Sequence, residues 1–259
     1  DYFDGKTIFP EDFYRIQAQG TDIKTYHINQ YMFRENFEPY AKAGDEVLYM
    51  CFSTGIAGTF NAANLAKEEL LEEYPEFDLT IIDTKCASLG FGLAVEKILR
   101  MQANGAPKDL IIEAAQFFCE HMEHIVTVET LEYLYKGGRL SKTSAVLGGV
   151  LDLKPIIEVN DDGALVAIEK VRGRHKSLKR CVELVGERGV DLDKQIIGVV
   201  HGNDPETCEK VSAMLMERYH CKGIIKSWVG CAIGAHTGPG IIGIVFLSAS
   251  EEKYAEYLK

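Results

Sequence analysis

Residues 47–60 read VLYMCFSTGIAGTF, a short apolar run followed by a loop of small residues. Residues 47–52 are typical of a buried strand, and residues 53–58 are typical of the tight loop that follows one. Small and apolar residues then recur at helical spacing, at Ala62, Ala63, Ala66 and Leu70. The pattern therefore predicts a strand, a loop and a helix, which is the repeating unit of an α/β protein.

The same alternation of strand and helix continues up to about residue 148. Further strands are predicted at residues 79–82 and 125–128. Helices are predicted at residues 92–101 and from Pro107 onward. Because strands that alternate with helices form mostly parallel sheets, we expect a mostly parallel sheet flanked by helices in this half of the chain.

The pattern changes after Gly148 and Gly149. Two strands at residues 153–159 and 164–171 are joined by Asn-Asp-Asp-Gly, which is typical of an antiparallel hairpin. A helix from about His175, a helix that Asp204 and Pro205 begin, and strands at residues 196–200, 224–229 and 241–247 follow.

We therefore predict two α/β domains. Residues 1–149 form the first, with a mostly parallel sheet, and residues 150–259 form the second, with a smaller mixed sheet. The chain has 259 residues, of which 46% are hydrophobic and 26% charged, as in an ordinary folded protein. This length corresponds to one large domain or two modest ones.

Charge and composition exclude several classes of protein. Lys and Arg total 28 against 39 Asp and Glu, a net charge of −11, which argues against binding to nucleic acid or an anionic membrane. No apolar run reaches the roughly 20 residues of a membrane span. The seven cysteines form no CxxC pair and predict buried thiols in the cytoplasm. No histidines stand at the spacing of metal ligands.

Three segments that contain glycine are candidates for ligand contact: residues 53–59, KGGR at residues 136–139 and HTGPG at residues 236–240. Glycine lets a ligand approach the backbone, and free N–H groups at the start of a helix favour an anion. An ordinary βα loop, a solvated basic loop and a polar turn are the respective alternatives. The GxGxxG pattern at residues 238–243 is excluded as a dinucleotide site, because a strand follows it.

Arg172 and Arg174 begin the one basic cluster of this acidic chain, which also includes His175, Lys176, Lys179 and Arg180. A local positive field is distinctive on an acidic surface. We therefore predict a partner-docking surface at Arg172 and Arg174, with the positive end of a helix as the alternative.

Five segments occur in the order seen in DegV proteins, and together they are spread over most of the chain. They are FSTGIAGTF (52–60), DTKCASLG (83–90), LEYLYKGGRLS (131–141), LKPII (153–157) and HTGPG (236–240). Each segment alone is weak, but five in order make the resemblance to the DegV family specific. DegV proteins are the fatty-acid-binding subunits of bacterial fatty acid kinase.

The resemblance implies two α/β domains, a long acyl chain in the first, and a carboxylate near the cleft between them. By position, Thr25 matches the threonine that opens the family's TSQPS-like loop and binds the carboxylate. Arg139 and His236 match residues that lie near the ligand head group. The candidate fatty-acid-binding residues are Thr25, Ser53, Ala57, Gly58, Arg139, His236, Thr237 and Gly238.

The chain departs from the family pattern at several points. TYHIN stands at residues 25–29, so only the threonine of that loop is retained, and Ala57 replaces a usual carboxylate-binding serine. One hydrogen bond to an ionised group contributes about 1.5–3 kcal/mol, so we expect His27, Ser53 or a backbone N–H to substitute. The family's usual first strand has no counterpart before Asp1, so we expect the first sheet to lack it.

We predict a carrier rather than an enzyme, with a long-chain fatty acid as ligand and no cofactor. It presents the carboxylate to a fatty acid kinase subunit, which supplies ATP and metal; the sequence has no GxxxxGK[ST] loop. Two alternatives remain. One is a small-acid transferase or hydrolase with His236 as general base, and the other is a family member that has lost lipid binding, which Ala57 favours.

Overall fold

The computed structural model describes residues 1–140 and 152–259. Within these ranges the chain forms eight strands and nine α-helices. The strands are β1 (Val47–Cys51), β2 (Leu79–Asp83), β3 (Met122–Thr127), β4 (Leu153–Val159), β5 (Leu165–Arg172), β6 (Ile196–His201), β7 (Gly223–Trp228) and β8 (Ile242–Leu247). The helices are α1 (Pro10–Ala18), α2 (Gln30–Ala43), α3 (Thr59–Glu73), α4 (Ser88–Ala103), α5 (Lys108–Glu120), α6 (Glu132–Lys136), α7 (Arg174–Arg188), α8 (Pro205–Tyr219) and α9 (Cys231–Thr237).

Two sheets organise the described residues. β1 and β2 form a two-stranded parallel sheet in which Val47 pairs with Leu79 and Cys51 pairs with Asp83. The other sheet has six strands in the order β5-β4-β3-β8-β6-β7; β6 and β7 are parallel, and the remaining neighbours are antiparallel. The predicted α/β class with one parallel and one mixed sheet is confirmed. The prediction that the mixed sheet is the smaller one is wrong: it has six strands against two, because β3 from the first half of the chain pairs with both β4 and β8.

The predicted domain boundary between residues 149 and 150 lies outside the described residues, so the division into two domains stays a prediction. Elements from the two halves of the chain contact one another. β3 lies inside the mixed sheet, and α1 contacts α9, where the rings of Phe13 and Tyr14 pack against Gly234. These contacts bring the N-terminal segment next to the HTGPG segment.

Hydrophobic residues cover both faces of the mixed sheet. In β8, Ile242, Ile244 and Phe246 pack with α7 and α8, whereas Val245 and Leu247 pack with α4 and α5. Because successive side chains of a strand point to opposite faces, this alternation buries the strand on both sides. A separate hydrophobic cluster lies between the small sheet and the helices α2 and α3.

His124 of β3 is buried against the start of α4. Its Nε2 accepts the backbone N–H of Ala87 at 3.3 Å, so its Nδ1 donates to the carbonyl oxygen of Met122 at 3.1 Å. A Cβ atom at Gly90 would lie 2.1 Å from Nε2, so the glycine makes room for the ring. Burial lowers the pKa of the His124 imidazole to about 4, and the ring is neutral at pH 7.

We expect the free energy of unfolding to fall as the pH drops from about 6.5 to about 4, since only the unfolded chain protonates His124 in that interval. The shift corresponds to ~3 kcal/mol. Urea unfolding across this pH range measures it. His124→Gln should remove this part of the pH dependence of the free energy of unfolding, whereas the same substitution at exposed His220 should not remove it. Equal pH slopes in wild type and His124→Gln would contradict the assignment.

Candidate functional site

A cleft of about 580 Å³ lies between the segment after α1, helix α6 and the end of α9. Its volume falls within the range of roughly 300–1,000 Å³ that is usual for ligand pockets. The lining side chains come from residues 20–25, from α6 with the loop after it, and from the last turn of α9. Among them are Thr25, Arg139 and His236, three of the predicted site residues.

Thr25 and His236 meet in this cleft although 211 positions separate them in the sequence. Thr25 Oγ1 and His236 Nε2 are hydrogen-bonded at 2.7 Å. Burial and, to a lesser extent, the nearby Arg139 cation lower the pKa of the His236 imidazole, so the ring is neutral at pH 7. His236 Nδ1 is buried and has no hydrogen-bond partner among the described residues.

Arg139 connects the KGGR segment to the loop after β1. Its guanidinium donates to the carbonyl oxygen of Gly137 at 2.7 Å and to that of Ile56 at 3.3 Å. Within residues 1–140 and 152–259, no carboxylate forms an ion pair with this half-buried guanidinium. Since its partners among the described residues are neutral carbonyl groups, its charge is available to an anion in the cleft.

Glycines allow the KGGR and HTGPG segments to pack against each other. A Cβ atom at Gly137 would lie 2.0 Å from Nδ1 of His236, and one at Gly238 would lie 2.4 Å from the Tyr133 ring. Gly238 also has a φ of +74°, which residues with a side chain rarely adopt. The two motifs therefore form one structural unit around His236.

Ser53 lies outside the cleft lining, and its hydroxyl group is already used. Ser53 Oγ is fully buried, donates to the carbonyl oxygen of Gly163 at 2.7 Å, and accepts the backbone N–H of Gly55 at 3.2 Å. These bonds fasten the loop after β1 to the turn of the β4–β5 hairpin. The described geometry thus gives Ser53 a structural contact rather than a place beside Thr25 and His236.

The remaining predicted residues of these loops do not line the cleft. Thr237 is buried, and its Oγ1 donates to the carbonyl oxygen of Ile233 at 3.1 Å within α9. Ala57 is half-buried, and Gly58 is the N-cap of α3. A Cβ atom at Gly58 would lie 3.4 Å from Nε2 of His27, so this histidine sits at the start of α3.

Replacement of Ser53 by alanine is expected to lower the free energy of unfolding by about 1–3 kcal/mol, because the buried Gly163 carbonyl loses its donor. Chemical unfolding measures this change. The affinity for a ligand in the cleft is expected to stay within a factor of about two, since the hydroxyl does not reach the cleft. A large loss of affinity at unchanged stability would instead place Ser53 in the binding site.

Comparison with known proteins identifies the family of the chain. A model of the DegV family, described as an uncharacterised protein family, matches residues 1–249. The chain belongs to the DegV family. A DegV domain-containing protein of Clostridium perfringens is 37% identical over 243 residues, which is 94% of this chain and 84% of that protein. The suspected resemblance is thereby confirmed.

Solved DegV structures share the fold. A fatty acid binding DegV family protein from Streptococcus agalactiae is 26% identical, with a TM-score of 0.81 over 95% of this chain and 86% of that chain. The fatty acid kinase B3 protein of Streptococcus pneumoniae, loaded with linoleic acid, has a TM-score of 0.83. The two chains are 20% identical, and the match covers 94% of this chain and 85% of that chain. At this identity the comparison shows a shared fold.

The basic cluster of this DegV protein lies at the start of α7, and its two predicted docking residues differ in exposure and in hydrogen bonding. Arg172 is exposed. Arg174 Nε donates to Glu129 at 3.0 Å, and its NH2 group donates to the carbonyl oxygen of Gly240. Arg174 therefore stabilises the loop after α9, whereas Arg172 is exposed to solvent and available to a partner.

Other residues of the DegV cleft were not predicted. Lys24 lines it, and its adjacency to Thr25 was the available signal. Lys136 also lines it; it belongs to the candidate KGGR segment but was not among the predicted binding residues. Gln17 also lines it, but α1 itself was not predicted. Within residues 1–140 and 152–259, no helix is long and apolar enough to span a membrane, and no three His, Cys, Asp or Glu side chains are grouped to hold a metal.

Proposed function

We propose that this DegV protein binds one long-chain fatty acid and holds its carboxylate in the cleft beside Thr25, Arg139 and His236. The observation that carries the proposal is the hydrogen-bonded Thr25–His236 pair next to a guanidinium that no described carboxylate neutralises. A buried carboxylate needs a cation or several donors, and an arginine supplies both. The S. agalactiae relative is a fatty acid binding protein, which supports the same ligand class here.

The acyl chain supplies most of the binding free energy in this proposal. Burial of about 14 methylene groups at ~0.8 kcal/mol each yields on the order of 11 kcal/mol before costs are subtracted. Lost translational freedom and ordering of the chain consume part of that gain. A few polar groups then suffice to orient the carboxylate, and the cleft offers a hydroxyl, an imidazole and a guanidinium.

We also propose that the bound acid is presented in the cytoplasm to a separate kinase subunit. The kinase would transfer the γ-phosphoryl group of ATP to a carboxylate oxygen, releasing ADP and leaving an acyl phosphate on this chain. The S. pneumoniae protein of the same fold is a fatty acid kinase B3 protein, which supports this partnership at the level of the fold. On this proposal the chain itself is a carrier.

One observation favours a second candidate, a transferase or hydrolase that acts on a small acid. A threonine hydroxyl at 2.7 Å from a neutral histidine has the geometry of a nucleophile and its general base. Such a base is normally oriented by a third group on its other nitrogen. His236 Nδ1 lacks that partner among the described residues, so the carrier is the better supported function.

Titration of the delipidated protein with oleic acid and with methyl oleate tests the binding proposal. The acid is expected to bind at least about tenfold more tightly, because the ester cannot form charge-assisted bonds to Arg139. Equal affinities would contradict a carboxylate site at Arg139. Binding of neither ligand would favour a chain that has lost lipid binding, and hydrolysis of methyl oleate that Thr25→Ala abolishes would favour the enzyme.

Charge reversal of the exposed cluster tests the proposed docking surface. Arg172→Glu combined with Lys176→Glu is expected to lower fatty-acid-dependent ATP consumption by a fatty acid kinase subunit about tenfold or more, since docking charges govern encounter. Oleic acid binding is expected to be unchanged. The same reversals at Lys42, which is exposed on α2, and at Lys67, which is half-buried on α3, serve as the control. Loss of lipid binding together with kinase coupling would count against a docking role.

A further inference from the structure

We infer that Asp4 is a positioning residue for His236, which it holds in place by capping the short helix α9 from the other end of the chain. The functional meaning of this role rests on the proposed function, in which His236 contacts the ligand head group. The two residues lie at opposite ends of α9, which has only seven residues. An ideal helix of this length is roughly 10 Å long.

The start of α9 lacks a cap of its own. Its N-cap residue is Gly230, which has no side chain to accept the free N–H groups of the first turn. Asp4 Oδ2 accepts the backbone N–H of Ala232 at 2.9 Å, across 228 positions of sequence. The carboxylate thereby does what an N-cap aspartate does, and its negative charge suits the positive end of the helix.

Gly230 is matched to this contact. A Cβ atom at position 230 would lie 2.9 Å from Asp4 Oδ2, closer than real Cβ atoms approach another heavy atom. A glycine here leaves space for the carboxylate, whereas the usual capping residues would collide with it. Gly230 therefore cannot cap α9 itself, but its lack of a side chain allows Asp4 to do so.

Other residues of the N-terminal segment also form hydrogen bonds to α9 and to the residue before its N-cap. Gln17 Nε2 donates to the carbonyl oxygen of Gly234 at 3.1 Å, and the Tyr14 hydroxyl donates to that of Val229 at 3.3 Å. Short helices are marginal by themselves, so contacts of this kind decide whether α9 is formed. Because the last turn of α9 carries His236, the order of its first turn controls where the imidazole meets Thr25.

The test compares Asp4→Ala and Asp4→Asn with Asp204→Ala. Asp204 is a matched control, because it caps α8 in the same way, with Oδ1 accepting the backbone N–H of Thr207 at 3.2 Å. Two quantities are measured for each protein: the NMR titration of the His236 imidazole and the affinity for oleic acid. A merely structural cap lowers the free energy of unfolding but leaves the titration of His236 unchanged.

In Asp4→Ala, we expect His236 to titrate at a higher pH than in wild type, because fraying of α9 exposes the ring to water. We expect the affinity for oleic acid to fall about fivefold, which corresponds to ~1 kcal/mol for a lost cap. Asp4→Asn keeps an acceptor oxygen and should stay closer to wild type, and Asp204→Ala should change neither quantity.

Identical His236 titrations in wild type and Asp4→Ala would overturn the inference. So would an equal change in Asp204→Ala, since that result indicates a general loss of stability. Failure of the wild-type protein to bind oleic acid would instead contradict the proposed function, and the NMR titration would still decide the role of Asp4.

Discussion

Replacement of Arg139 by alanine is expected to weaken the binding of a long-chain fatty acid by about 10- to 150-fold, the factor for a charge-assisted hydrogen bond of ~1.5–3 kcal/mol. The guanidinium lies beside His236 and donates only to carbonyl oxygens of the described residues. Without it, a neutral imidazole and a hydroxyl are what remains of the three groups proposed to hold the carboxylate. Calorimetric titration of the delipidated variant with oleic acid measures the loss.

Two further variants show whether the loss comes from the head group. Arg139→Lys keeps the charge but loses the planar pair of donors, so an intermediate affinity is expected. Arg34→Ala removes an arginine of α2 that pairs with Glu73 on the surface, and it should leave affinity unchanged. An Arg139→Ala protein that binds oleic acid like wild type would show that the carboxylate lies elsewhere.

Replacement of Gly137 by alanine is expected to displace the His236 ring, because the new Cβ atom would lie 2.0 Å from Nδ1. The hydrogen bond between His236 and Thr25 is then lost. We expect oleic acid affinity to fall about 5- to 15-fold, the factor for one hydrogen bond of ~1–1.5 kcal/mol. Overpacking should also lower the free energy of unfolding by about 1–3 kcal/mol.

The neighbouring glycine is a matched control. A Cβ atom at Gly138 meets open space, but its φ of +70° is unfavourable for alanine. Gly138→Ala should therefore lower the free energy of unfolding by about 1–2 kcal/mol and leave affinity unchanged. Equal losses of affinity in the two variants would show that the KGGR loop as a whole, rather than its contact with His236, supports binding.

Local periodicity was sufficient to predict the eight strands that the structure describes, but not how they pair. β3 was predicted as a strand of the first domain, yet it lies between β4 and β8. Strand partners are set by long-range contacts, which no local pattern specifies. α2 was missed although its ends carry recognisable signals: Asn29 accepts the Met32 N–H, and Gly44 ends the helix with a φ of +70°.

Helix α9 shows why some elements are beyond local prediction. It is short and contains Gly234, and its order depends on Asp4, Tyr14 and Gln17 from the other end of the chain. From the sequence, HTGPG was interpreted as a polar turn outside any helix. In the structure, His236 lies in the last helical turn of α9. The HTGPG motif indicated the residue, but only the fold gives its position.

The binding role of the candidate site residues stays a prediction. Thr25, Arg139 and His236 line one cleft, and the family resemblance implied that they lie near a common head group. Ser53 was proposed as a substitute for the hydroxyl missing at Ala57, but Ser53 Oγ donates to Gly163, a residue 110 positions away. The Ser53 hydroxyl is therefore hydrogen-bonded to the β4–β5 hairpin of the mixed sheet, and the spacing of motifs carries no information about such a contact.

Mass spectrometry of the purified protein, first under native conditions and then after denaturation and solvent extraction, shows whether the chain carries a fatty acid. We expect one fatty acid per chain in the native spectrum and the free acid in the extract, which also gives its length and unsaturation. A protein that carries no lipid and takes up no added oleic acid would contradict the proposed binding of a fatty acid.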